Sequence, residues 1–218
     1  MKNHEQLNPY YPIFLNISGK RCVVVGGGQV AHRKIRTLLE HNADVQVISP
    51  DLCPELGQLA ESGKIEVLHR DYRAGDLRKA FIAVAATNDS DINLEIVKEA
   101  RKNAVLVNIV DDAENSDFIL PSHIHRGDFA IAISTAGKSP ALTRKIKTKL
   151  EEDFGDEYAS LTLLINEVRT EIKRQGIKVS SDDWEEALDL DLLLNQVRSG
   201  NNEKAKAILL SNLERRRK

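Results

Sequence analysis

The sequence predicts an α/β protein. A doubly wound parallel sheet is expected over residues 1–112, then a small α+β region over 113–148 and a helical domain over 149–218. Three observations carry this. From residue 20 to about 110, short β-branched runs alternate with longer helical patterns, the signature of βα units. A glycine-rich turn joins the first run to the first helical pattern. Beyond Asp112 the alternation stops.

The first run, Cys22-Val-Val-Val25, ends in Gly26-Gly-Gly28. Val30, Ile35, Leu38 and Leu39 then recur at helical spacing, and the helix ends near His41-Asn42. Val45–Ile48 is the second strand, Glu55–Ser62 a helix stopped by Gly63, and Ile65–Leu68 a third strand. Phe81–Ala85 is continuously apolar, as a strand covered on both faces should be. Asp91 is expected to cap a helix over 92–103, before a fifth strand at Val105–Val110. Phe118–Leu120 and Phe129–Ile133 follow with no helix between them, which predicts a strand pair outside the main sheet. Ser139-Pro140 reads as an N-cap and first helical residue opening a basic helix to Leu150. Amphipathic helices are expected over 158–174 and 184–197, and a charged helical end over 203–217.

The composition is that of an ordinary globular chain, 41% hydrophobic and 29% charged. No apolar run approaches the roughly 20 residues of a membrane helix. The polar start, Met1–Gln6, lacks a secretory pattern, so a soluble cytoplasmic protein is expected. Cys22 and Cys53 form no C-x-x-C pair, and both read as thiols of a reducing compartment. A net charge of −2 argues against nucleic acid as a partner, although Arg144, Lys145, Lys147 and Lys149 make one helix locally basic. His123 and His125 are spaced to face one side of a strand, but no third ligand is evident and no metal site is expected.

Gly26-x-Gly28-x-x-Ala31, between a strand and a helix, has the spacing of a Rossmann-type dinucleotide cradle. Gly26 would allow the tight turn, Gly28 the close approach of pyrophosphate, and Ala31 close packing of helix on strand. Gln29 and Val30 would offer backbone N–H groups at the positive end of the helix. In such sheets ligands lie beyond the carboxyl ends of the strands. This gathers Ser49, Pro50 and Asp51 after the second strand, Thr87 and Asn88 after the fourth, and Asn108–Asp112 after the fifth. The usual ribose-binding acid is replaced by Ser49-Pro50-Asp51, in which Asp51 or Ser49 could serve the ribose or Asp51 could simply be an exposed helix-start residue; Arg36 is the one Lys or Arg between Lys34 and Gly63, so NAD is preferred over NADP. Asp111, directly after a buried strand, could accept a proton at the nicotinamide end. Asp112 could do so instead, or either could cap a turn.

Several linked segments, Pro12-Ile-Phe14-Leu15, Val25–Lys34, Ala85–Asp89, Asn108-Ile-Val-Asp111, Phe118–Pro121 and Ser134-x-x-Gly-x-Ser-Pro140, resemble the precorrin-2 dehydrogenase family of sirohaem synthesis. The resemblance covers residues 10 to about 150. It implies NAD-dependent oxidation of precorrin-2 to sirohydrochlorin, with Asp111 catalytic, and a homodimer built through the segment after the cofactor domain. Asn108, Arg126, Lys138 and Arg144 would hold the carboxylated tetrapyrrole, Lys145 adding charge nearby. Some members also insert ferrous iron or carry a methyltransferase module. The length leaves no room for that module, and the last helices depart from the bifunctional members, so iron insertion is the alternative rather than the expectation. A module that only senses NAD is a further alternative.

Overall fold

A computed structural model describes residues 10–215 of the chain. The polar start at 1–6 and the last residues of the predicted final helix, 216 and 217, lie outside the described residues. By internal contact the chain forms two units, Met1–Leu120 and Pro121–Lys218.

The first unit is built from β1 (Arg21–Val25), α1 (Gln29–Glu40), β2 (Asp44–Ile48), α2 (Pro54–Glu61), β3 (Glu66–Leu68), β4 (Ile82–Ala85), α3 (Ser90–Lys102) and β5 (Leu106–Ile109). Its strands form one parallel sheet in the order β3-β2-β1-β4-β5. The chain starts at the centre, winds outward to β3, then returns past β1 to β4 and β5. The consecutive apolar residues of β1 explain why it lies in the middle. Cys22 and Val24 pack with Ala31, Ile35 and Leu38 of α1, while Val23 and Val25 pack on the opposite face with Ile96, Val97 and Ala100 of α3. Four consecutive apolar residues in a strand need such a two-sided cover.

The cap of α3 is Asp89 rather than Asp91. Its Oδ1 accepts the N–H groups of Asp91 and Ile92 at 2.9 and 3.1 Å, leaving Asp91 in the first turn. Phe118–Leu120 is not a strand. Residues 112–118 instead run along the open edge of β5 and satisfy it with side chains. Asp117 accepts the Val107 N–H and Ser116 the Ile109 N–H, each at 2.9 Å. Asn108 donates to the Phe118 carbonyl at 2.9 Å. An edge covered in this way offers no template for another strand.

The second unit opens with an antiparallel hairpin of β6 (Ser122–Arg126) and β7 (Phe129–Ile133). The predicted strand pair therefore exists, but its first strand begins after Pro121. Next come α4 (Pro140–Asp153), with Ser139 and Pro140 in their predicted capping places, and α5 (Glu157–Arg174). The helix expected over 184–197 is broken into α6 (Ser181–Ala187) and α7 (Leu190–Arg198). Asp189 causes the break: its carboxylate accepts the Leu192 N–H at 3.0 Å and restarts the helix. The chain closes with α8 (Asn202–Arg215), and Leu164, Val168, Leu193, Leu194 and Leu209 share the core of this helical group. Among the described residues no helix is long and apolar enough to cross a membrane.

Candidate active site

The glycine-rich turn runs from the end of β1 into α1, and each of its glycines has a different reason to be one. Gly26 has φ +119°, and a Cβ there would stand 2.4 Å from the Ala86 carbonyl oxygen. The turn is thus pressed against the chain leaving β4, which brings Thr87 and Asn88 beside it. Gly27 was not singled out by spacing, yet its need is stronger. A Cβ would lie 1.9 Å from the Asp51 carbonyl oxygen and 2.7 Å from Ser49 Oγ. The Gly27 carbonyl also accepts the Cys53 N–H at 2.7 Å.

Gly28 differs from both, because nothing lies within 4 Å of where its Cβ would be. It is the N-cap of α1 and no side chain caps the helix there. The first-turn N–H groups, Gln29 and Val30 among them, have no acceptor within the helix. Open space, uncapped N–H groups and the positive helix end together fit a pyrophosphate. Ala31 is fully buried beneath the helix, as close packing on the sheet requires.

Of the residues expected after β2, Ser49 is buried and its hydroxyl donates to the Asp51 carbonyl at 2.7 Å. Pro50 and Asp51 are exposed. Beyond them Gln29 Nε2 donates to Glu55 Oε2 at 2.8 Å, joining the first turns of α1 and α2. Glu55 was not anticipated, since its place in the sequence says only that it begins a helix. Its carboxyl lies below the usual range because its own backbone N–H, then Gln29 and the Cys53 thiol, hydrogen-bond to it; His32 adds a smaller attraction. Thr87 donates to Asn93 Oδ1 at 2.8 Å and is fixed within the β4–α3 turn, whereas Asn88 is exposed.

At the end of β5 the two neighbouring acids differ. The Asp112 carboxylate is occupied by Asn115, accepting its backbone N–H at 3.1 Å and its side-chain amide at 2.8 Å. Those bonds hold its pKa below the usual carboxylate range. Asp111 is exposed and has φ +62°, a conformation that asparagine and aspartate tolerate best among residues with a Cβ. On α1, burial and then Arg33 lower the pKa of half-buried Lys34, while the charge of Asp111 opposes them. Asn108 is buried, and its Oδ1 has no partner among the described residues.

The remaining expected contacts belong to the second unit. Arg126 Nε lies 3.2 Å from Asp156 Oδ1, and its Nη1 donates to the His125 carbonyl at 3.1 Å. Lys138, in the turn before α4, and Arg144, on α4, are exposed.

Known proteins resemble this chain over most of its length. A family model described as NAD(P)-binding matches residues 13–122. Another, described as "Sirohaem biosynthesis protein central", matches residues 126–152. The sirohaem synthase of Nitrosococcus oceani is 36% identical over 207 residues, which are 94% of this chain and 44% of that protein. That of Chromobacterium violaceum is 38% identical over 200 residues, 91% of this chain and 42% of that protein. The chain thus spans less than half the length of these curated relatives. Among solved structures, the precorrin-2 dehydrogenase SirC superposes with a TM-score of 0.67 at 28% identity, covering 94% of this chain and 100% of that one. A nicotinamide dinucleotide cradle, the sirohaem-biosynthesis segment that follows it and a precorrin-2 dehydrogenase of matching fold together place this chain in the precorrin-2 dehydrogenase family of sirohaem biosynthesis.

Proposed function

We propose that the chain is an NAD-dependent dehydrogenase that oxidises precorrin-2 to sirohydrochlorin, with Asp111 as its proton-handling residue. The observation that carries the assignment is the contrast between the two acids after β5. Asp112 is committed to Asn115, so its lone pairs serve the turn, whereas Asp111 is the exposed one. It follows the strand next to β4, whose outgoing chain meets the glycine-rich turn.

The bound nicotinamide supplies the two-electron acceptor. Gly28 gives the pyrophosphate room, the first turn of α1 gives it N–H donors, and Ser49–Asp51 with Thr87 and Asn88 flank the dinucleotide. Asp111 accepts a proton released as the tetrapyrrole loses two electrons. Asn108 keeps a buried acceptor for a substrate N–H three residues before Asp111. Arg126, Lys138 and Arg144 answer the substrate carboxylates.

We also propose a homodimer through the hairpin and α4. What supports it is the partial exposure of Phe129, Ile131 and Ile133 on β7 and the exposure of Leu142 on α4. A reducing, cytoplasmic setting accords with two unpaired thiols. The direct test is incubation of the purified chain with precorrin-2 and NAD while following the sirohydrochlorin spectrum. Asp111→Ala should abolish turnover and leave NAD binding intact. Full turnover by that variant would refute the assignment of Asp111.

A further inference from the structure

Cofactor choice in this fold is ordinarily made at the carboxyl end of the second strand, where an acid accepts the ribose 2′-hydroxyl. Here Ser49 holds that place, and its hydroxyl is already given to the Asp51 carbonyl. An acid is nonetheless brought to this edge of the cradle from further along the chain. Two hydrogen bonds tie the start of α2 to the glycine-rich turn: Cys53 N–H to the Gly27 carbonyl at 2.7 Å, and Gln29 Nε2 to Glu55 Oε2 at 2.8 Å. Their effect is to hold one carboxylate oxygen of Glu55 against α1, one residue beyond open Gly28.

The segment that forms this edge carries charge of one sign. From Ser49 to Ser62 the chain carries Asp51, Glu55 and Glu61 and no Lys or Arg. Arg70, which follows β3, gives its guanidinium to Asp76 through two bonds of 2.8 Å. The one cation directly after that strand is thereby engaged. His32, the remaining positive influence on Glu55, attracts the carboxylate itself.

We propose that Glu55, clasped by Gln29, is the residue through which this chain selects NAD over NADP. Its carboxylate accepts a free ribose 2′-hydroxyl, whereas a 2′-phosphate brings like charge to a segment, Ser49 to Ser62, that has no Lys or Arg to meet it. The inference rests on the reading of the first unit as a nicotinamide dinucleotide site. It adds that the discriminating acid comes from the first turn of α2, not from the end of β2.

Titration calorimetry on the full chain tests this without turnover, using NAD, NADP and the fragment pair 5′-AMP and 2′,5′-ADP. The wild-type chain should bind NAD at least about thirtyfold more tightly than NADP, and AMP more tightly than the bisphosphate. Glu55→Gln should shrink both ratios by about tenfold, chiefly by raising affinity for the 2′-phosphorylated partner, and Glu55→Arg should reduce or invert them. Glu55→Asp, which keeps the charge, should retain most of the discrimination, and the thermal midpoint of each variant reports its folding. Wild-type chain that binds NADP as well as NAD overturns the inference alone, as does an unchanged ratio in folded Glu55→Gln and Glu55→Arg. Failure of the wild-type chain to bind either dinucleotide overturns the cofactor site, and the inference falls with it.

Discussion

Gly27 and Gly28 are neighbours of one residue type, yet replacing each by alanine should produce opposite defects. In Gly27→Ala the new Cβ falls 1.9 Å from the Asp51 carbonyl oxygen and 3.0 Å from its carbonyl carbon. Both are backbone atoms, so no side-chain rotation relieves the overlap. The segment from Ser49 to Cys53 must retreat, straining the Ser49–Asp51 and Cys53–Gly27 hydrogen bonds. Overpacking of this kind costs about 1–3 kcal/mol, and each weakened bond adds about 1 kcal/mol. A destabilisation of about 3–5 kcal/mol is therefore expected. In Gly28→Ala the methyl meets no atom within 4 Å, and φ −86°, ψ −175° is ordinary for alanine. The stability cost should stay below about 1 kcal/mol, while the methyl occupies the space a pyrophosphate needs. Urea unfolding should be followed by far-UV circular dichroism, because the one tryptophan, Trp184, reports on the helical unit. NAD at a hundred times its dissociation constant should stabilise the wild-type site by about 2.7 kcal/mol and Gly28→Ala not at all. Equal destabilisation by the two substitutions, or undiminished NAD binding by Gly28→Ala, would refute this division of roles.

Other perturbations have equally definite outcomes. Asp112→Asn should lower the thermal midpoint by weakening the Asn115 turn, whereas Asp111→Asn should leave the midpoint unchanged and remove turnover; the reverse pattern would exchange their roles. Glu99 accepts Tyr72 Oη at 2.5 Å and the N–H groups of Gly75 and Leu77 at 2.8 and 3.0 Å. Glu99→Ala should therefore cost about 2–4 kcal/mol and expose the 70–80 loop to proteolysis, and an intact loop would count against this. Arg70 holds the Asp76 carboxyl below its usual range. The stability it contributes is complete above the unfolded value near 3.9 and is lost as pH falls through the lower folded value, so Arg70→Met should flatten that part of the acid-unfolding curve. Burial pushes the Cys22 thiol up to about 11. Half-buried Cys53 should react first with a thiol reagent, Cys22 only on unfolding, and the Cys22 contribution to stability should fade as pH rises from about 8.5 towards 11.

The local grammar of the chain determined a good deal by itself. Runs such as Cys22–Val25 and Phe81–Ala85 can be satisfied only by strands covered on both faces, and the glycine spacing before α1 marked the cradle because backbone approach to pyrophosphate is a local demand. Ser139-Pro140 was legible for the same reason, since a cap is settled within one helical turn. Other features depended on segments meeting in space. The two-residue shift of the cap from Asp91 to Asp89 is a matter of which carboxylate reaches two N–H groups. The break at Asp189 lies inside a pattern whose apolar spacing alone looks continuous. Residues 112–118 cover the edge of β5 through side-chain bonds that have no periodicity to read. Gly27 has no place in the spacing pattern, and the Asp51 carbonyl packed against it is what requires it; Glu55 is a helix-start acid by sequence, and the Gln29 bond is what sets it apart. Spacing along the chain announced the dinucleotide cradle, but only tertiary structure decided what closes around it, because Asp51, Cys53 and Glu55 meet the turn across more than twenty residues of intervening chain.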